Sequence, residues 1–90
     1  MERKRSRLDI IVDMLSSIQA KGGRIKPTHL MYKSNLSHKQ LKSYLEEMVE
    51  SEFIGKVKHE NYDYIIIKDK GARLLNKLNE IREFEKTFGI

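Results

Sequence analysis

A chain of 90 residues with 39% hydrophobic and 34% charged side chains can build one modest core, which argues against two domains enclosing a deep cleft. It contains no cysteine, so disulfides, thiolate zinc sites and cysteine nucleophiles are excluded, and a reducing, cytoplasmic setting fits. Eighteen Lys and Arg against thirteen Asp and Glu leave a net charge of +5, and its distribution is one-sided: between Met14 and Leu45 there is no acid, while that window holds Lys21, Arg24, Lys26, Lys33, Lys39 and Lys42, a surface suited to a polyanion.

The first residues, MERKRSRLDIIVDMLSSI, run from basic to apolar, yet Asp9 and Asp13 interrupt them and no small-residue cleavage site follows, which argues against a leader peptide. No segment approaches the ~18 uninterrupted apolar residues of a membrane span. Leu8, Ile11, Val12, Leu15 and Ile18 recur at helical spacing, Ser6 with Asp9 forms a capping box, and Gly22-Gly23 supplies the stop. A first helix is therefore expected over Arg7 to Lys21. A short strand at Arg24 to Lys26 follows, and Pro27 opens a second helix to Lys33, because proline is accepted in a first helical turn. Asn35-Leu36 breaks the pattern, and Ser37 with Gln40 three residues on is the capping box of a third helix, His38 to Ser51. FIGKVKH and YDYIIIKD are rich in Ile, Val, Tyr and Phe and read as two strands turning at His59, Glu60 and Asn61. Asp69 then caps a last helix, Lys70 to Thr87, before Gly89.

Two helices joined by a tight turn and followed by a hairpin give an α+β, mainly α, winged helix-turn-helix. The core spans 1–68, and 69–90 forms a carboxyl-terminal helix for packing and dimerisation. At ~100° per residue the third helix turns Leu41, Tyr44, Leu45 and Met48 to the core. The opposite side presents Lys39 and Ser43, flanked by Gln40 and Lys42, on its first turns, and Glu46, Glu47 and Glu50 only later. A recognition helix meets DNA with its amino end, so the cations stand where a duplex would lie and the acids where they do not repel it. Ser37, His38, Lys39, Gln40, Lys42 and Ser43 are the expected recognition-helix contacts, with Gln40 placed for adenine and Lys39 for guanine. Lys56 and Lys58 alternate onto one face of the hairpin, and with Lys33, Arg24 and Lys26 they make up the wing and flanking contacts. The alternative reading of these charges is a solvated face. Arg3, Lys4, Arg5 and Arg7 form a basic arm that either follows DNA or is simply solvated.

No catalytic centre emerges. His29, His38 and His59 lack ligand spacing, Ser37-His38 adjacency is not a nucleophile–base geometry, and Lys21-Gly22-Gly23-Arg24 is too short for a phosphate loop. Neither a metal nor a cofactor is expected, and no effector pocket is legible. On the last helix, Leu74, Leu78, Ile81, Phe84 and Phe88 form an apolar stripe. It pairs with a second copy or, alternatively, packs back on the first helix.

The run GGRIKPTHLMYKSNLSHKQLKSYLEEMVESEFI, followed by KDKGARLL, resembles the small archaeal winged-helix proteins of the transcriptional-regulator and chromatin-protein type. The resemblance covers nearly the whole chain and is strongest in Met31-Tyr32-Lys33, Asn35-Leu36-Ser37, Leu41, Tyr44-Leu45 and Lys70-Gly71. It implies a nucleoid-associated, double-stranded-DNA-binding homodimer joined through its last helix, with no enzymatic activity. The acidic group Glu46, Glu47, Glu50 and Glu52 beside Phe53 and Ile54 supports a second expectation, a module that docks on a protein of the transcription or replication machinery. A packer of DNA without sequence preference shares the first reading's surfaces.

Overall fold

The computed structural model describes residues 5–89. Its elements are α1 (Arg7–Ala20), β1 (Arg24–Ile25), α2 (Pro27–Lys33), α3 (His38–Glu50), β2 (Ile54–His59), β3 (Tyr62–Ile67) and α4 (Asp69–Phe88). The order is the one expected from the sequence, and each end falls within two residues of its expected place.

Local chemistry accounts for most of the boundaries. At α1 the Ser6 hydroxyl accepts from the Asp9 N–H and the Asp9 carboxylate accepts from the Ser6 N–H, the two halves of a capping box. Ser37 and Gln40 repeat the device at α3. Gly22 and Gly23, at φ of +81° and +93°, turn the chain out of α1 through a backbone region that side chains oppose, and the Gly23 carbonyl then accepts from the Ile67 N–H. The expectation for Asp69 is corrected. Lys68 holds the cap position of α4 with no side-chain bond, and Asp69 lies inside the first turn, where its charge complements the helix dipole.

The sheet has strand order β1-β3-β2 with both pairings antiparallel. Glu60 and Asn61, both at positive φ, make the two-residue turn between His59 and Tyr62, tighter than the three residues read from the sequence. Met14, Leu15, Ile18, Leu30, Ile54, Ile65 and Leu75 are sealed from solvent, so all the helices but α3 lend a fully covered side chain. From α3, Leu41, Tyr44, Leu45 and Met48 close the core, the arc the periodicity selected. On α1 the expected face is corrected in part: Leu8 is half exposed, while Ile10 and Met14 are buried. The helix is packed by α2, α4, β1 and β3, so its covered arc is wider than a single stripe. A helix pair with a tight turn, closed by a three-stranded sheet whose hairpin extends past the core, is a winged helix.

Candidate nucleic-acid interface

The side chains at issue are set by the start of α3 and by the hairpin. With the Leu41, Tyr44, Leu45 and Met48 arc pinned inward, His38, Lys39, Lys42 and Ser43 stand exposed on the first turns. Ser37 and Gln40 are exposed as well but are partly committed. The Ser37 hydroxyl accepts from the Gln40 N–H at 3.1 Å, and Gln40 Oε1 accepts from the Ser37 N–H at 3.0 Å. Bidentate pairing of Gln40 with adenine therefore competes with the cap, which is worth about 1 kcal/mol. In the capped state Gln40 Oε1 has one of its two lone pairs taken by the Ser37 N–H, and the amide nitrogen keeps its donors.

Pairing register decides the wing. Lys56 stands opposite Ile65 and Lys58 opposite Asp63, so all four share one side of the sheet, that of the buried Ile65. Across from them lie His38, Leu41, Lys42 and Leu45 of α3, and together they line one groove. The two lysines and the helix nose therefore share a cationic recess. The other flanking residues diverge from it. Arg24 places its guanidinium 4.7 Å from the centroid of the Tyr64 ring, and Lys26 its ammonium 4.4 Å from that of Tyr62. Each is held over an aromatic face by cation–π attraction. Lys33 lies with Ser16, Ser17, Ala20 and Lys21 in a separate depression between α1 and α2.

Part of the basic arm has a different task from the one the sequence suggested. Arg5 donates to Asp13 at 3.1 Å and to the carbonyls of Ser34 and Asn35 at 2.6 and 2.7 Å. This ties the start of α1 to the turn between α2 and α3, where Asn35 holds a left-handed φ of 53°. Arg7 grips both carboxylate oxygens of Glu47, at 2.7 and 2.8 Å, and passes over the Tyr44 ring. Hydrogen bonding to Glu47, then its charge, raises the Arg7 pKa further above its ordinary value. The acidic end of α3 thus holds α1 through Glu47. Arg3 and Lys4 lie outside the described residues. None of these pairings has a signal in the sequence, because the partners are 8 to 40 residues apart.

On α4 the apolar stripe divides. Leu74 and Leu78 pack on the chain's own core beside the buried Leu75. Ile81, Phe84 and Phe88 remain 53%, 55% and 66% exposed, and the two phenylalanine rings tilt together with centroids 4.6 Å apart. A salt bridge from Arg82 to Asp9, at 2.8 Å, is the last hold of α4 on α1. Leu8, beside Asp9 in the chain, is also half exposed. Among the described residues no helix is long and apolar enough to cross a membrane. Nor do three or more His, Asp or Glu side chains gather as metal ligands would.

Residues 4–86 match the family model of winged helix-turn-helix proteins. A protein of Methanocaldococcus jannaschii, MJ0290, is 31% identical over 78 residues, which is 87% of this chain and 34% of that protein. The chain thus spans about a third of the length of that relative. Sso10a-2, a DNA-binding protein from Sulfolobus solfataricus, superposes with a TM-score of 0.79 at 17% identity, over 93% of this chain and 85% of that one. F93 from STIV, a winged-helix DNA-binding protein, gives 0.75 at 16% identity over 93% and 95%. At these identities the two likenesses speak to the fold.

Proposed function

The chain belongs to the winged helix-turn-helix family, and from that premise we propose that it binds double-stranded DNA as a homodimeric transcription regulator, setting the amino end of α3 in the major groove, and performs no catalysis. One observation carries the reading. His38 and Lys42 on the helix nose share a cationic recess with Lys56 and Lys58 of the wing, while the acids of α3 stand at its far end and one of them, Glu47, is held by Arg7. Phosphates placed along that recess meet ammonium groups from two elements at once, and the positive end of the α3 dipole adds to them. The names of Sso10a-2 and F93, both DNA-binding, lend support. Lys39 and the Gln40 amide face outward for base edges, with Lys42, Lys56 and Lys58 for the backbone. Arg24 and Lys26, engaged with tyrosines, and Lys33, beside α1, are outlying contacts in this scheme. The second copy would pair through Ile81, Phe84 and Phe88, the part of the stripe its own domain leaves exposed.

The test is fluorescence anisotropy on mixed-sequence duplex DNA at two salt concentrations, with wild type and the Lys39→Ala/Lys42→Ala double variant. Log affinity should fall against log salt with a slope of about −0.9 for each phosphate neutralised. The double variant should bind at least about tenfold more weakly at low salt and show a shallower slope. Absence of wild-type binding at low salt would overturn the reading.

A further inference from the structure

The recess between α3 and the wing has a volume of about 440 Å³. Its interior is hydrocarbon, from Leu41 and Leu45 of α3, Pro27 at the start of α2 and Ile65 of the hairpin. Charge stands around it: Lys42, Lys56 and Lys58, against the single carboxylate of Asp63. Among the described residues none of the three ammonium groups has a carboxylate within salt-bridge distance. The lining arises from the register. Beyond the core the hairpin continues to show α3 the side bearing Ile65, Lys56, Lys58 and Asp63, and the first turns of the helix answer with Leu41, Leu45 and Lys42.

A duplex meets only part of this lining. Phosphates satisfy the ammonium groups, but the sugar-phosphate backbone is too polar to occupy a concave hydrocarbon wall. A recess of a few hundred Å³ with mainly apolar walls and a few convergent charges is how small-molecule sites are built. Three cations against one carboxylate leave the rim positive and favour an anionic occupant, and the aliphatic walls favour a compact hydrocarbon body. We infer that the groove between α3 and the wing binds a small amphipathic carboxylate, an aromatic or branched aliphatic acid, with its hydrocarbon on Leu41, Leu45 and Ile65 and its carboxylate on Lys42, Lys56 and Lys58. Such a ligand occupies lysines that the proposed DNA reading assigns to phosphate, so acid and duplex compete. Only that competition rests on the DNA-binding reading; the site itself does not.

The probe is 1-naphthoate, titrated into the full chain carrying labelled methyl groups and followed by NMR without DNA. Saturable shifts are expected at Leu41, Leu45 and Ile65, with affinity about fivefold weaker for the Lys42→Gln/Lys58→Gln variant. Uncharged 1-naphthamide is expected to bind more weakly than the acid. No shift at millimolar naphthoate, shifts confined to Leu8 and Ile81, or equal binding of the amide would each overturn the inference. A second arm measures duplex affinity with and without saturating naphthoate, where a loss of affinity is expected. Unchanged duplex affinity would overturn the competition. A chain that binds naphthoate at the methyls of Leu41, Leu45 and Ile65 but no duplex keeps the pocket and loses the DNA reading, whereas duplex binding without naphthoate shifts does the reverse.

Discussion

Gly71 shows how one residue can fix the joint between elements. A side chain there would drive its Cβ into the carbonyl of Phe53, the same carbonyl that accepts from the Lys68 N–H, and α4 passes this close only because Gly71 has none. Its neighbour Lys70 donates to the Ser51 carbonyl at 2.8 Å and lies over the Phe53 ring, so Lys70-Gly71 locks the start of α4 onto the turn after α3. Gly71→Ala should lower stability by about 2 kcal/mol despite alanine's better helix propensity. That is a fall of about 10 °C in melting temperature, and an unchanged melt would show that the joint gives way freely. Asp9 sets a pH dependence. The Ser6 backbone N–H, then the Ser6 hydroxyl, and Arg82 to a smaller extent, hold its carboxyl below the ordinary carboxylate value. A pKa depressed by folding gives stability that is present above the unfolded value, ~3.9, and lost as pH falls through the folded one. Thermal melts from pH 6 down to 2 should therefore lose less stability in Asp9→Asn than in wild type, and parallel curves would contradict this. Ser6–Asp9 was legible in the sequence because a cap is decided within four residues; the contacts of Gly71 and Arg5 were not, because what they meet is made by chain 8 to 30 residues away.

At the scale of elements, α3 and the hairpin were read well because each carries an unambiguous period. Every third or fourth residue of α3 is covered, and every second residue of β2 faces the helix, so Lys56 and Lys58 could be assigned to one side before any pairing was known. With α1 the periodicity misled in part. A helix packed by several elements needs more than one stripe, and choosing Leu8, Ile11, Val12, Leu15 and Ile18 left out Ile10 and Met14. The recess was not legible, since it depends on the distance between α3 and a hairpin that no local pattern sets. If the outward face of the helix nose and the wing side of the recess have the different tasks proposed for them, their substitutions should differ in kind. Lys39→Ala should narrow the affinity gap between a selected and a scrambled duplex, while Lys58→Ala should weaken both about equally and reduce the salt slope by about one phosphate. Uniform losses from both changes would leave binding without sequence discrimination.

Across the whole molecule, α4 does two things in succession. Its first half is part of the domain, through Leu74, Leu75 and Leu78, and from Asn79 to Gly89 each residue is exposed. The split falls where α1 runs out. Asp9 receives Arg82, Leu8 is left half bare, and the next apolar positions of α4 find no partner within the fold. The sequence divides this helix between packing and dimerisation but counts Leu74 and Leu78 with the dimer-facing stripe, since the spacing is continuous and nothing in it marks where the domain ends. Two phenylalanines and an isoleucine kept in water forgo about 25 cal/mol for each Å² they would otherwise bury. Pairing with a second copy removes that cost at the carboxyl-terminal half alone, without disturbing the core. In the homodimer reading, the melting temperature rises with protein concentration, as mass action requires when only the folded pair is stabilised. Phe84→Glu should abolish that dependence and give a monomer by sedimentation equilibrium, while at high dilution its melt approaches that of wild type, because Phe84 lies outside the core. A concentration-independent wild-type melt, with a monomer at millimolar protein, would instead place α4's exposed half against another partner.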